Sequence, residues 1–174
     1  MSRRNGTEEP STTNGARERI ATIGGTFGIL HEGHKEYIQL AFEYVDRVLI
    51  YVNSDEYTNG KKHYSVHPFE HRVDQLKAFI KQIGCENRCE IHRLNNLKEL
   101  ETDYLETEDL KEKIYMAIVS PEYYDFFLRL NNAREARGMN SILILVKPRK
   151  RDNGNDISSS LIRHLKGESA DSQN

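Results

Sequence analysis

Arg19-Ile20-Ala21-Thr22-Ile23-Gly24-Gly25-Thr26-Phe27-Gly28-Ile29-Leu30-His31-Glu32-Gly33-His34 reads as a short β-prone run, closed by a glycine pair, that turns within a few residues into a helix. Tyr37, Ile38, Ala41, Tyr44 and Val45 follow at helical spacing. The next apolar run, Val48-Leu49-Ile50-Tyr51-Val52, is too continuous for a half-exposed strand and predicts one covered on both faces. Pro68 opens a helix with Val73, Leu76, Phe79, Ile80 and Ile83 facing inward. Cys89 to Leu94 reads as a third strand and Ile114 to Val119 as a fourth. Ser120 and Pro121 then start a helix that Gly138 stops after Arg137, with Ser120 as its cap. Ile142 to Val146 reads as a fifth strand and Ile157 to Leu165 as a closing helix.

Five alternations of strand and helix predict an α/β fold, a doubly wound, mostly parallel five-stranded sheet in a single domain. The domain is expected to span residues 19–168, between a disordered N-terminal tail of residues 1–18 and a C-terminal tail of residues 169–174. Residues 95–113 hold seven acids and three lysines with little periodicity, which predicts a solvated loop or short helix.

At 174 residues the chain suits one self-sufficient core. Its 25 basic and 27 acidic residues leave a net charge of −2, which excludes nucleic-acid or membrane binding driven by bulk electrostatics. No apolar run approaches the ~20 residues of a membrane span, and the opening residues carry no apolar signal core. A cytoplasmic protein is expected. Cys85 and Cys89 are too few for a disulfide framework, and their spacing is weak evidence for zinc. They are expected to be reduced thiols, at least one of them packed as a small apolar group.

In an open parallel sheet, ligands bind beyond the carboxyl ends of the strands, where the chain places Gly24 to His34. Glycines admit close approach to an anion, and the following helix start offers amide donors and a positive dipole end. His31 and His34, three apart, share one side of the first helical turn. The combination suits phosphate, which imidazole N–H groups can hold more tightly as charge shifts in a transition state. His-Glu-x-His is one residue short of the zinc-protease helix, and neither a Walker lysine nor Gly-x-Gly-x-x-Gly is present. The glycine pair by itself is equally read as a plain turn. His63, His67, His71, His92 and His164 lack such a context and read as structural or solvent-facing, and Tyr123, Tyr124, Phe126 and Phe127 as core or pocket wall.

Gly25-Thr26-Phe27 with His31-x-Gly33-His34 resembles the G-T-F-D-x-x-H-x-G-H signature of the adenylyl/cytidylyltransferase superfamily, whose fold is Rossmann-like. Ile157-Ser158-Ser159-Ser160-Leu161-Ile162-Arg163 resembles its I-S-S-T-x-x-[RK] motif. Asn53-Ser54-Asp55, Pro68-Phe69-x-x-Arg72 and Val119-Ser120-Pro121-Glu122-x-Tyr124 with Asn131 and Arg134 are similar to the archaeal/eukaryotic type of phosphopantetheine adenylyltransferase. The resemblance implies adenylyl transfer from ATP to 4′-phosphopantetheine, giving dephospho-coenzyme A and pyrophosphate. It assigns catalysis to His34, His31 and Thr26. ATP contacts fall to Gly25, Thr26, Phe27, His31, Gly33, His34, Ser120, Ser158, Ser159, Ser160 and Arg163. Acceptor contacts fall to Thr26, Lys61, Lys62 and Arg72. The run Lys147-Pro148-Arg149-Lys150-Arg151 could attract the triphosphate or merely form a solvated connection. Mg²⁺ is expected to bridge phosphate oxygens, with no metal site built from protein ligands alone. The chain departs from the signature at Gly28, where the family usually has an acid. Two further readings stay open: a sister transferase acting on glycerol phosphate, a phospho-alcohol or FMN, and a nucleotide-binding protein without turnover. Oligomeric state is open.

Overall fold

Every neighbouring pair of strands runs parallel, in the order β3-β2-β1-β4-β5. The computed structural model describes residues 17–59 and 66–147. The predicted helix 157–165, the C-terminal tail and residues 1–16 lie outside the described residues. β1 (Ile20–Gly25) is followed by α1 (Glu32–Tyr44), β2 (Arg47–Asn53) and a short α2 (Asp55–Asn59). Next come α3 (Phe69–Gln82), a 3₁₀ turn (Glu86–Arg88), β3 (Cys89–Leu94) and α4 (Leu97–Leu105). β4 (Ile114–Val119), a 3₁₀ turn (Pro121–Tyr123), α5 (Tyr124–Ala136) and β5 (Leu143–Val146) complete the described chain.

Alternation along the strands divides the core into two layers. Ala21 and Ile23 of β1, with Val48, Ile50 and Val52 of β2, pack against Tyr37, Ile38 and Ala41 of α1 and Val73, Leu76 and Ile80 of α3. Ile20, Leu49, Tyr51 and Ala117 face the other way, against Leu100 and Tyr104 of α4 and Phe127 and Leu130 of α5. β2 is buried from Val48 to Asn53, as its unbroken apolar run predicts. Cys85 and Cys89 are unpaired, partly buried and packed on the first layer. Gly138, at φ +74°, ends α5 by adopting the left-handed conformation.

Of the solvated loop or short helix expected over residues 95–113, the structure has the helix, α4, followed by a turn: Asn96 Oδ1 accepts from the amides of Lys98 and Glu99, while Leu100, Tyr104 and Leu105 are buried. Two expectations need correction. Ser120 precedes the 3₁₀ turn, but its hydroxyl makes no cap bond. Tyr124 is 42% exposed instead of forming core. At the N-terminal boundary, Arg17 pairs with Glu112, and Glu18 pairs with Arg47 and Lys113.

Arg134, 1% exposed, ties the second layer together. Its Nη1 donates to the carbonyls of Tyr104 (2.6 Å) and Lys111 (2.8 Å), and its Nε to that of Asn140 (2.9 Å). Burial pulls its guanidinium below the ordinary arginine range. Replacing it by methionine strands these carbonyls in an apolar layer. Arg134→Met is expected to cost about 3 kcal/mol in urea denaturation; an unchanged midpoint would show that the ties are dispensable.

Candidate active site

The chain crosses from β3 through α4 to β4, on the far side of β1, so the switch point falls between β1 and β4. Their carboxyl ends, Gly24-Gly25 and Val119-Ser120, border a cleft of about 440 Å³ open to solvent. Its walls are mostly apolar, from Leu94, Leu97, Leu100, Ile118 and Phe127, with Thr22, Tyr51, Asn53, Ser120 and Tyr123 supplying the polar groups. Two hydrogen bonds brace α4 against the sheet on this side. Tyr51 donates to Asp103 Oδ2 (2.7 Å), and the buried hydroxyls of Tyr104 and Thr22 are paired. Burial first, and then the Asp103 carboxylate, raise the Tyr51 phenol above its ordinary value, so it remains a neutral donor.

Beyond Gly25 the backbone turns sharply. Phe27 has φ +53°, a left-handed conformation that costs a non-glycine residue about 1–3 kcal/mol. Its ring is buried at 2% exposure, beneath Gly25. A Cβ on Gly25 would meet that ring at 3.3 Å, so the second glycine of the pair is set by packing. At Gly28 an added Cβ would meet Val66 Cγ1 at 3.3 Å. Val66 therefore lies against the position where the family usually carries its acid.

His31 caps α1, and His34 is the third residue inside it. Each ring answers the other's backbone: His34 N donates to His31 Nδ1 (3.3 Å) and His31 N to His34 Nδ1 (3.5 Å). This is a reciprocal capping box built from imidazoles. The rings stack with centroids 3.7 Å apart, and Phe27 lies 5.2 Å from His34. Because Nδ1 accepts in both rings, the proton of each neutral imidazole resides on Nε2. Both rings thus become N–H donors at the amino end of a helix, where the dipole already favours an anion. Gln75 of α3 steadies the approach by accepting from the Leu30 amide at 3.4 Å.

Thr26, between the cleft residue Gly25 and this turn in the chain, has its Oγ1 3.4 Å from Nδ2 of the cleft residue Asn53. Arg72, expected among the acceptor contacts, lies beneath the floor, 0% exposed. Nη1 donates to the carbonyls of Thr26 (2.6 Å) and Asn53 (2.9 Å), Nε to that of His67 (2.8 Å) and Nη2 to Asp55 Oδ1 (2.8 Å). A guanidinium spent on loop carbonyls and a carboxylate ties the site together from below; this replaces the expected direct contact. Ser120 does line the cleft. Lys147 extends the β4–β5 pairing by donating its amide to Val119 O (2.7 Å), and burial, opposed by Glu122, lowers its ammonium to about 8. Lys61, Lys62, Ser158, Ser159, Ser160, Arg163 and residues 148–151 lie outside the described residues.

Sequence reasoning assigned no role to Asn53, to the Tyr51–Asp103 brace or to the leucines lining the cleft. A polar residue ending the fully apolar run Val48–Val52 was the available signal for Asn53. The others depend on α4 crossing the sheet.

A glycine turn, a histidine-capped helix start and a switch-point cleft are the features of a nucleotidyltransferase-type α/β domain. The profile of the family described as cytidylyltransferase-like matches residues 22–165, and the chain belongs to that family. Phosphopantetheine adenylyltransferase of Methanopyrus kandleri is 35% identical over 151 residues, covering 85% of this chain and 90% of that protein. The protein of the same name from Thermococcus kodakarensis is 35% identical over 147 residues, 83% and 84% of the two chains. Among solved structures, an Archaeoglobus fulgidus protein described as of unknown function superposes with TM-score 0.56 at 30% identity, covering 74% of this chain and 87% of that one. A bifunctional NMN adenylyltransferase/ADP ribose pyrophosphatase from Francisella tularensis shares the fold, with TM-score 0.55 at 14% identity over 87% of this chain and 44% of that one. No helix among the described residues is long and apolar enough to cross a membrane.

The anchoring of Arg72 has a pH signature. Its hydrogen bond holds the Asp55 carboxyl below the ordinary 3.8, desolvation opposes this, and the Phe69 amide adds to the lowering. A carboxyl depressed on folding stabilises the protein above its unfolded value, and the contribution is lost as pH falls through the folded one. The difference in thermal midpoint between the wild-type chain and Asp55→Asn is therefore expected to be constant above about pH 5 and to shrink below about pH 4. A difference that does not shrink would mean that Arg72 does not depend on the carboxylate.

Proposed function

We propose that this chain is a pantetheine-phosphate adenylyltransferase, which moves AMP from ATP to 4′-phosphopantetheine and yields dephospho-coenzyme A and pyrophosphate. The observation that carries this reading is the turn after β1: Gly25 lines a mostly apolar cleft, Thr26 next to it contacts the cleft residue Asn53, and the same turn leads into the histidine-capped start of α1. The substrate pair needs both: a place for phosphates, and a groove for an acceptor whose phosphate ends a long, weakly polar arm. The names of the Methanopyrus and Thermococcus relatives point the same way.

A phosphate oxygen of the acceptor attacks the α-phosphorus of ATP in line, the bond to the bridging α–β oxygen breaks, and pyrophosphate leaves with the electron pair. The nucleophile is already an anion, so the protein supplies positioning and charge stabilisation without a base or covalent intermediate. Thr26 directs its hydroxyl at the acceptor phosphate. His34 and His31 donate Nε2–H to the ATP phosphates, with His34 meeting the charge that develops in transit. Gly25 and Phe27 shape the turn, Gly33 in the first turn of α1 lets the backbone approach the nucleotide, and Ser120 faces the nucleotide from the end of β4. Ser158, Ser159, Ser160 and Arg163 hold the β and γ phosphates by motif, and Lys61 and Lys62 meet the acceptor phosphate.

Mg²⁺ belongs to the ATP on this reading. No three His, Cys, Asp or Glu side chains converge among the described residues, and Gly28 brings no carboxylate to the turn. Bound with ATP, the ion would take phosphate oxygens and water as its hard ligands and offset phosphate charge. The reading places the protein in the cytoplasm with its soluble substrates.

Pyrophosphate release across a panel of nucleotides and acceptors tests the proposal. ATP with 4′-phosphopantetheine is the pair expected to turn over. Preference for CTP, or turnover only with another phosphorylated acceptor, moves the assignment to a sister transferase. Tight ATP binding with no pyrophosphate from any pair makes the chain a nucleotide-binding homologue. His34→Ala is expected to lower kcat by ~10²-fold or more with a small loss of stability from the opened capping box. Unchanged turnover removes His34 from the mechanism.

A further inference from the structure

We infer that Asn53 is a positioning residue that sets the direction of the Thr26 hydroxyl proton; the inference rests on the adenylyl-transfer reading above. A threonine hydroxyl carries one proton and two lone pairs, and left to rotate it presents either to an anion. Here Asn53 Nδ2 lies 3.4 Å from Thr26 Oγ1 and donates to it. With one lone pair taken, the proton turns away from the amide, and the hydroxyl faces the acceptor phosphate as a donor.

The surroundings hold this pair in register. Asn53 is 7% exposed, ends the buried strand β2 and lines the cleft. A single nitrogen of Arg72, Nη1, takes the backbone carbonyls of both residues, Thr26 at 2.6 Å and Asn53 at 2.9 Å. The two backbones therefore cannot drift apart without breaking a buried charge-assisted bond. Asp55 balances the buried cation at 2.8 Å and opens α2 immediately after this strand end. Two loops from neighbouring strands are thus locked below, while their side chains meet above, next to the cleft.

If Asn53 acts through Thr26, its removal must be felt in acceptor use and must depend on the hydroxyl. In the full-length chain, Asn53→Ala is expected to lower kcat/KM for 4′-phosphopantetheine ~10-fold, the worth of a charge-assisted hydrogen bond. The KM for ATP should change less than twofold. Asn53→Asp, which offers only acceptors and draws the Thr26 proton towards itself, is expected to cost more, ~10²-fold. In a Thr26→Val background, which keeps the side-chain shape and removes the hydroxyl, Asn53→Ala should cost less than twofold further. Losses that multiply in full in the double variant, or a rise in the ATP KM equal to that for the acceptor, overturn the inference and leave Asn53 a structural residue. Asn53→Leu, which keeps the branched shape and removes the donor, supplies the cycle if Asn53→Ala fails to fold. Wild-type turnover with ATP and 4′-phosphopantetheine is measured first. Its absence overturns the functional reading and this inference with it, whereas turnover with independent losses overturns the inference alone.

Discussion

A buried guanidinium needs acceptors for its protons, and that requirement organises this site. Arg72 is fully enclosed, and it satisfies four hydrogen bonds with the carbonyls of Thr26, Asn53 and His67 and the carboxylate of Asp55. These partners come from the turn after β1, the end of β2, the start of α2 and the segment that enters α3. None of these pieces would hold its place by apolar packing alone, because each presents backbone polar groups to the interior. The left-handed turn at Phe27 is affordable because the carbonyl just before it is bound from below and its ring is packed beneath Gly25.

From that anchored turn the chain enters α1 with two imidazoles doing the capping usually left to a hydroxyl and a carboxylate. The reciprocal bonds at Nδ1 have two effects. They satisfy backbone amides at a helix start, and they place both ring protons on Nε2. Stability and chemistry are thereby served by different nitrogens of the same rings. Leucines of α4 and Phe127 of α5 wall a mostly apolar cleft at the carboxyl ends of β1 and β4, next to the Asn53 that Thr26 contacts, and the histidine-capped start of α1 follows the same turn in the chain. Substrates that combine phosphates with a long organic arm fit such a division.

Much of this was legible from residue order. The continuous run Val48–Val52 meant a strand buried on both faces, Gly138 meant a helix end, and the spacing of His31 and His34 placed both on one turn. The histidine motif was readable because every residue in it lies within one local segment. Arg72 was misread as a contact because an arginine on an amphipathic helix looks the same in sequence whether its head reaches a ligand or turns beneath the sheet edge. The 95–113 segment left loop and short helix both open because only Leu97, Leu100, Tyr104 and Leu105 of α4 are apolar, too few to decide between them against its acids. Asn53 carried a faint signal, as a polar residue closing an apolar strand.

Order along the chain therefore determined the parallel sheet and the two-histidine helix start, since periodicity, glycine placement and capping are properties of neighbouring residues, while the strand order that puts the crevice between β1 and β4 came from the fold. Tertiary structure alone decided what Arg72 binds, which proton Thr26 presents and what walls face it. Those outcomes depend on where strands separated by twenty or more residues come to rest beside one another, and a buried donor donates to whichever carbonyl the fold delivers.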